Sequence, residues 1–101
     1  MVQKIRCECA QRYEAKINSW AFYQEIKEFF EKQVALGAYQ DVPVEKPFYT
    51  WRSRDETIDS YADKWYRCKN CGCLWEFVYP DFPGVGFVRK FPDGVYRERG
   101  Y

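Results

Sequence analysis

The chain has 101 residues and a net charge of +1, from sixteen basic and fifteen acidic side chains, so it lacks the strong basic bias of a general nucleic-acid binder. Aromatic residues make up 21% of it, which predicts one globular domain over residues 1–101 rather than a disordered chain. It contains no histidine, which removes Ser-His-Asp and Cys-His catalysis and any histidine-ligated metal site.

Residues 2–7 ("VQKIRC") read as a first strand. Over residues 12–17, Tyr13, Ala15 and Ile17 alternate with Arg12, Glu14 and Lys16, the period of a half-buried strand. Cys7 and Cys9 then fall at or near the turn of an N-terminal hairpin. The N-terminus has no apolar core of a secretory signal, and no stretch approaches the roughly 18 apolar residues of a membrane helix. Five cysteines cannot all pair within one chain. Together these features predict a cytoplasmic protein with reduced thiols.

From Ser19 the period changes. Phe22 or Tyr23, Ile26, Phe30 and Val34 recur at helical spacing, with Glu28 placed to pair with Lys32. Ser19 as N-cap and Gly37 as stop bound a long helix over about residues 20–36. Residues 38–52, carrying Pro43 and Pro47, read as an irregular arm. Ser53 and Glu56 have capping-box spacing, and Ile58, Tyr61, Ala62 and Trp65 form an apolar stripe, which predicts a second, shorter helix. The C-terminal third reads as sheet: "WYRC", "CLWEFVY", "VGFVRKF" and "VYRER", broken by "PDFPG" and "PDG". The expected class is α+β, with antiparallel zinc-ribbon-like hairpins, one long helix and one shorter helix.

Cys68 and Cys71, followed by Gly72, have the C-x₂-C-G form of a zinc knuckle. Two thiolates three residues apart converge on one ion when the chain turns between them, and Gly72 supplies the positive φ such a turn often needs. Zinc takes four tetrahedral ligands, and one knuckle supplies two. Cys7 and Cys9, at i and i+2 of a strand, point to one face and are the natural second pair. The candidate metal site is therefore Cys7, Cys9, Cys68 and Cys71. Four thiolates suit iron as well as zinc. They leave no open coordination position, so the metal would be a structural staple. Cys73 is left over, either as a replacement for Cys71 or Cys9 or as a buried thiol; the buried thiol is preferred. A redox role for the pair is disfavoured, because such a CxxC opens a helix and this one leads into a strand.

Asp55, Asp59 and Asp63 fall at i, i+4 and i+8, with Glu56 beside them, and would make an acidic stripe on a helix. A solvated face accounts for them more simply than a basic partner does. Arg89, Lys90, Arg97 and Arg99, with Phe87, Phe91 and Tyr96 among them, read first as the polar outer face of a sheet and second as a stacking surface for bases. Trp20, Trp65 and Trp75 are expected in the core. Trp51, beside Tyr49 and Phe48 in the arm, is expected at a surface suited to contacting another protein.

The run "WYRCKNCGCLWEFVYPDFPGVGFVRKF", a CxxCG knuckle followed by a Trp, "YPD", a Gly and a basic pair, resembles small bacterial immunity proteins of polymorphic toxin systems. The resemblance covers the last third of the chain. It implies a non-enzymatic cytoplasmic inhibitor of one cognate toxin, and it carries over no contact residues. The expected function is a protein-binding module, with Asp55, Asp59, Asp63, Trp51 and Tyr49 as candidate contacts. The alternative is a zinc-ribbon domain contacting nucleic acid, and an enzyme built on a reactive Cys73 is a third reading.

Overall fold

A computed structural model describes residues 14–81 and 84–97. Eight elements follow in chain order: β1 (Ala15–Ile17), α1 (Trp20–Ala35), β2 (Tyr39–Val42), β3 (Tyr49–Arg52), β4 (Thr57–Ser60), β5 (Lys64–Cys68), β6 (Leu74–Val78) and β7 (Gly86–Phe91). The architecture is α+β: an antiparallel five-stranded sheet in the order β1-β7-β6-β5-β2, one helix and a separate hairpin of β3 and β4. The expected strand at residues 2–7 lies outside the described residues.

The long helix forms where its spacing predicts. The Ser19 side chain accepts from the Phe22 amide, and the chain leaves the helix through Gly37 at φ 77°. Ile26 and Phe30 are buried as expected, but the lower part of the buried stripe runs through Gln33, while Val34 is exposed. Trp20, expected in the core, is exposed at the first turn. The ion pair along the helix joins Lys27 to Glu31 at 4.0 Å.

β6 lies at the centre of the sheet, and side-chain alternation sends its residues to two cores. Trp75 and Phe77 face α1 with Ile17, Tyr66, Cys68, Cys73 and Val88 around Phe30, whose ring stacks on Tyr66 at 4.5 Å. Leu74 faces the other way, packing with Ala62, Trp65 and Phe91; Phe48 and Tyr96 close over that side. A strand covered on both faces reads as a near-continuous apolar run, and "LWEFV" does so apart from Glu76.

The second helix does not form. Residues expected in it make the β3–β4 turn, β4 and the start of β5. The Ser53/Glu56 pair is real but closes a hairpin: the Ser53 amide donates to the Glu56 carbonyl at 2.9 Å, and the Glu56 amide donates to Ser53 Oγ at 3.2 Å. The arm at 38–52 is likewise only partly irregular, since β2 and β3 take up most of its ends. Of the expected last strand "VYRER" at 95–99, residues 95–97 run without strand pairing, and the rest lies outside the described residues.

Candidate functional site

The cysteine turn connects β5 to β6. The Cys68 amide donates to the Cys73 carbonyl at 2.9 Å and the Gly72 amide to the Cys68 carbonyl at 3.0 Å, with Gly72 at φ 79°. The chain therefore reverses between Cys68 and Cys73, with Cys71 and the positive φ of Gly72 inside the turn. Cys68 and Cys73 are buried in the core under α1, whereas Cys71 is exposed. Arg67 clamps the turn from behind, donating through Nη1 to the Gly72 carbonyl at 3.1 Å and through the same guanidinium to the Gly94 carbonyl. A Cβ on Gly94 would lie 2.6 Å from the Gly72 oxygen, so only glycine lets the two turns touch.

Cys7 and Cys9 lie outside the described residues. Among the described residues no three His, Cys, Asp or Glu side chains gather closely enough to hold a metal ion. Cys68 and Cys71 offer at most half of a tetrahedral set.

The second candidate surface is the β3–β4 hairpin. Tyr49 and Trp51 share one face because they are two apart, and Ile58 stands directly across from Trp51 in the antiparallel register. These three are 37%, 44% and 47% exposed. The hairpin is moored at its base: the Phe48 ring meets Phe87 edge-on at 5.2 Å, and the Tyr96 hydroxyl donates to the Pro47 carbonyl at 3.0 Å. Tyr49 and Trp51 are thus brought together as expected, with Ile58 added to them by the strand pairing.

The acidic stripe is not formed, because the helix it needed is a hairpin and a loop. Asp55 sits in the β3–β4 turn. Asp59 lies in β4 and accepts from Thr50 Oγ1 at 2.9 Å, while Asp63 accepts from the Tyr79 amide at 2.7 Å.

Arg89, Lys90 and Arg97, expected on the basic face, are engaged with the protein itself. Arg89 Nε donates to Glu76 Oε1 at 2.7 Å, its Nη1 to the Arg97 carbonyl and its Nη2 to the Tyr96 hydroxyl, both at 3.0 Å. Arg97 pairs with Asp93 at 2.6 Å, and Lys90 lies over the Trp75 ring. Phe91 is buried and Phe87 packs on Phe48, so these rings do not form an open stacking surface. Arg99 lies outside the described residues.

Sequence reasoning missed Glu76. It is fully buried, with Trp65 Nε1 donating to its Oε2 at 3.2 Å opposite Arg89. The only signal was one carboxylate inside an apolar strand.

No protein-family model matches the chain, and no curated protein or solved structure matches it either. Among the described residues, no helix is long and apolar enough to cross a membrane.

Proposed function

We propose that the protein is a non-enzymatic binding module that grips another protein through the Tyr49, Trp51 and Ile58 face of its β3–β4 hairpin. The observation that carries this reading is the hairpin itself. Aromatic and β-branched side chains on a two-stranded element normally pack on a neighbour, and on this hairpin Tyr49, Trp51 and Ile58 are left substantially exposed. Trp and Tyr are enriched among the residues that dominate protein–protein affinity. The resemblance of residues 65–91 to immunity proteins supports a toxin as the partner, and the chain's lack of histidine fits inhibition by occupancy rather than by chemistry.

A zinc staple belongs to the same reading. Cys68 and Cys71 flank a turn of knuckle form, and Cys7 and Cys9 would complete the thiolate set, with zinc neutralising the buried Cys68 sulfur and tying the N-terminal segment to the sheet. Iron would do the same with these ligands.

The test is to look for a toxin domain encoded next to this gene and to co-express it with the protein. Wild-type protein should restore growth and co-purify with the toxin. Trp51→Ala combined with Ile58→Ala should abolish both while leaving the thermal midpoint unchanged. Rescue by the double variant would move the contact away from the hairpin, and failure of the wild type would remove the toxin from the proposal.

A further inference from the structure

A cleft of about 270 Å³ opens between the C-terminal half of α1 and the β2–β5 side of the sheet. Its walls are Glu31, Val34 and Ala35 from α1, Asp41 from β2, Lys64 and Tyr66 from β5, and Tyr79 beyond β6. The floor is the telling part. Tyr66 is only 5% exposed, its ring is stacked on Phe30, and among the described residues its hydroxyl makes no hydrogen bond. Among the described residues no fully buried side-chain polar atom lacks a partner, so the Tyr66 oxygen, the outer end of an otherwise buried ring, is reached by solvent. Here the hydroxyl meets the cleft instead of protein.

The lining of the cleft carries two carboxylates, Glu31 and Asp41, against one ammonium, Lys64. The charged groups acting on the Tyr66 hydroxyl are Asp41 and Glu31, and those acting on Tyr79 are Asp63, Glu31 and Asp41. Both phenols are held in the neutral form above their ordinary range, by burial first and by neighbouring phenols and carboxylates second. Lys64 is drawn to Asp41 at 3.0 Å and Lys27 to Glu31 at 4.0 Å, so the walls already attract cations.

The donor set defines the ligand class. No three carboxylates converge closely enough for a metal ion among the described residues, so the attraction is spread over a space sized for an organic group. The volume is at the small end for ligand pockets and too small for a nucleotide cofactor. The ring faces are largely taken, Tyr66 by Phe30 and Tyr79 by edge contacts with Tyr23 and Phe77, leaving hydroxyl and carboxylate oxygens as the recognition groups. Oxygen acceptors on a lining with more carboxylates than ammonium groups favour a cation that carries several N–H donors. We propose that this cleft binds a guanidinium or primary ammonium group, with Tyr66, Tyr79 and Glu31 as its acceptors and Val34 and Ala35 against its alkyl stem. The site is separate from the hairpin surface and does not rest on it.

The test is a titration of the isotope-labelled full chain with N-acetyl-arginine methylamide, read by amide chemical shifts. Saturable shifts should centre on Glu31, Asp41, Lys64, Tyr66 and Tyr79, with a dissociation constant on the order of 1–10 mM, as one small charged group allows. The neutral norleucine analogue and tetramethylammonium, which has no donors, should not compete. Tyr66→Phe keeps the ring on Phe30, and Glu31→Gln changes an exposed side chain, so both should fold; each should weaken binding roughly fivefold or more. Agmatine binding as tightly as the capped arginine would assign the site to a free guanidine. Tighter binding of the capped arginine would assign it to a side chain of a partner, and either result supports the cleft. Shifts that do not saturate, equal binding of norleucine, or full affinity in both variants would overturn it.

Discussion

Glu76 and Arg89 stand opposite each other on β6 and β7, and their side chains meet at 2.7 Å with the carboxylate wholly out of solvent. Trp65 occupies the matching position on β5 and donates to the other carboxylate oxygen, so one cross-strand row carries an indole, a carboxylate and a guanidinium. Removing one member of such a pair leaves the other charge buried and unmatched. Glu76→Gln should lower unfolding stability by about 3 kcal/mol, the lower end of the range for a broken buried pair because Arg89 keeps some access to water. Glu76→Leu combined with Arg89→Met should recover most of that loss, and denaturant unfolding of both variants checks the claim.

The same row extends to the hairpin. Arg89 donates to the Tyr96 hydroxyl, which in turn donates to the Pro47 carbonyl two residues before β3. Tyr96→Phe removes both bonds and keeps the ring packed on Trp65 and Phe91. The expected cost is about 1 kcal/mol of global stability. Amide exchange across residues 43–52 should quicken more than exchange in β5 or β6, because the hairpin's mooring is what is lost.

Alkaline stability follows from the phenols. Burial is the leading cause that raises the pKa of Tyr66, Tyr79 and Tyr96 in the fold. Tyr66 adds Asp41 and Glu31, and Tyr96 adds Glu76 against the opposing pull of Arg89. An unfolded chain ionises its phenols near pH 10. The folded state prefers them protonated, so their contribution is complete below about pH 10 and is lost as pH rises beyond it. Thermal midpoints should be level through neutral pH and then fall, and phenolate absorbance should show late-ionising tyrosines that appear together with unfolding.

The metal proposal makes its own prediction. Protein purified without chelator should carry about one zinc per chain, with four thiols protected until the metal is removed. Cys71→Ser should release the metal, and a chelator should lower the thermal midpoint of wild type without affecting that variant. Plasma emission and thiol titration read both quantities. Five freely reacting thiols in untreated protein would dismiss the staple.

Where a single local pattern decided the outcome, the sequence could be read. Ser19, the Ile26 and Phe30 spacing and Gly37 place α1 within a residue of its observed bounds. The Cys68 to Gly72 turn and its flanking strands were legible for the same reason. The second helix failed because Ser-x-x-Glu satisfies a hairpin turn as readily as a helix start, and pairing along β3 and β5 settled the choice. Burial of consecutive Trp65 and Tyr66 hid the strand period, since β5 is covered on both faces. Glu76 and Arg89 lie thirteen residues apart, and only the strand register makes them neighbours. The Tyr66 cleft was invisible for a similar reason: its walls come from α1, β2, β5 and Tyr79.

Strand order also sets a timetable. Among the described residues, β1 near the start of the chain has β7 as its sheet neighbour, with Ala15 opposite Val88. A growing polypeptide can form α1 and the β3–β4 hairpin early, but Ile17 has no strand to lie against until Gly86–Phe91 has left the ribosome. The β1–β7 pairing closes only after β7 has been made, over a long and entropically slow loop. Truncating the chain before β7 should therefore abolish cooperative folding rather than trim an edge.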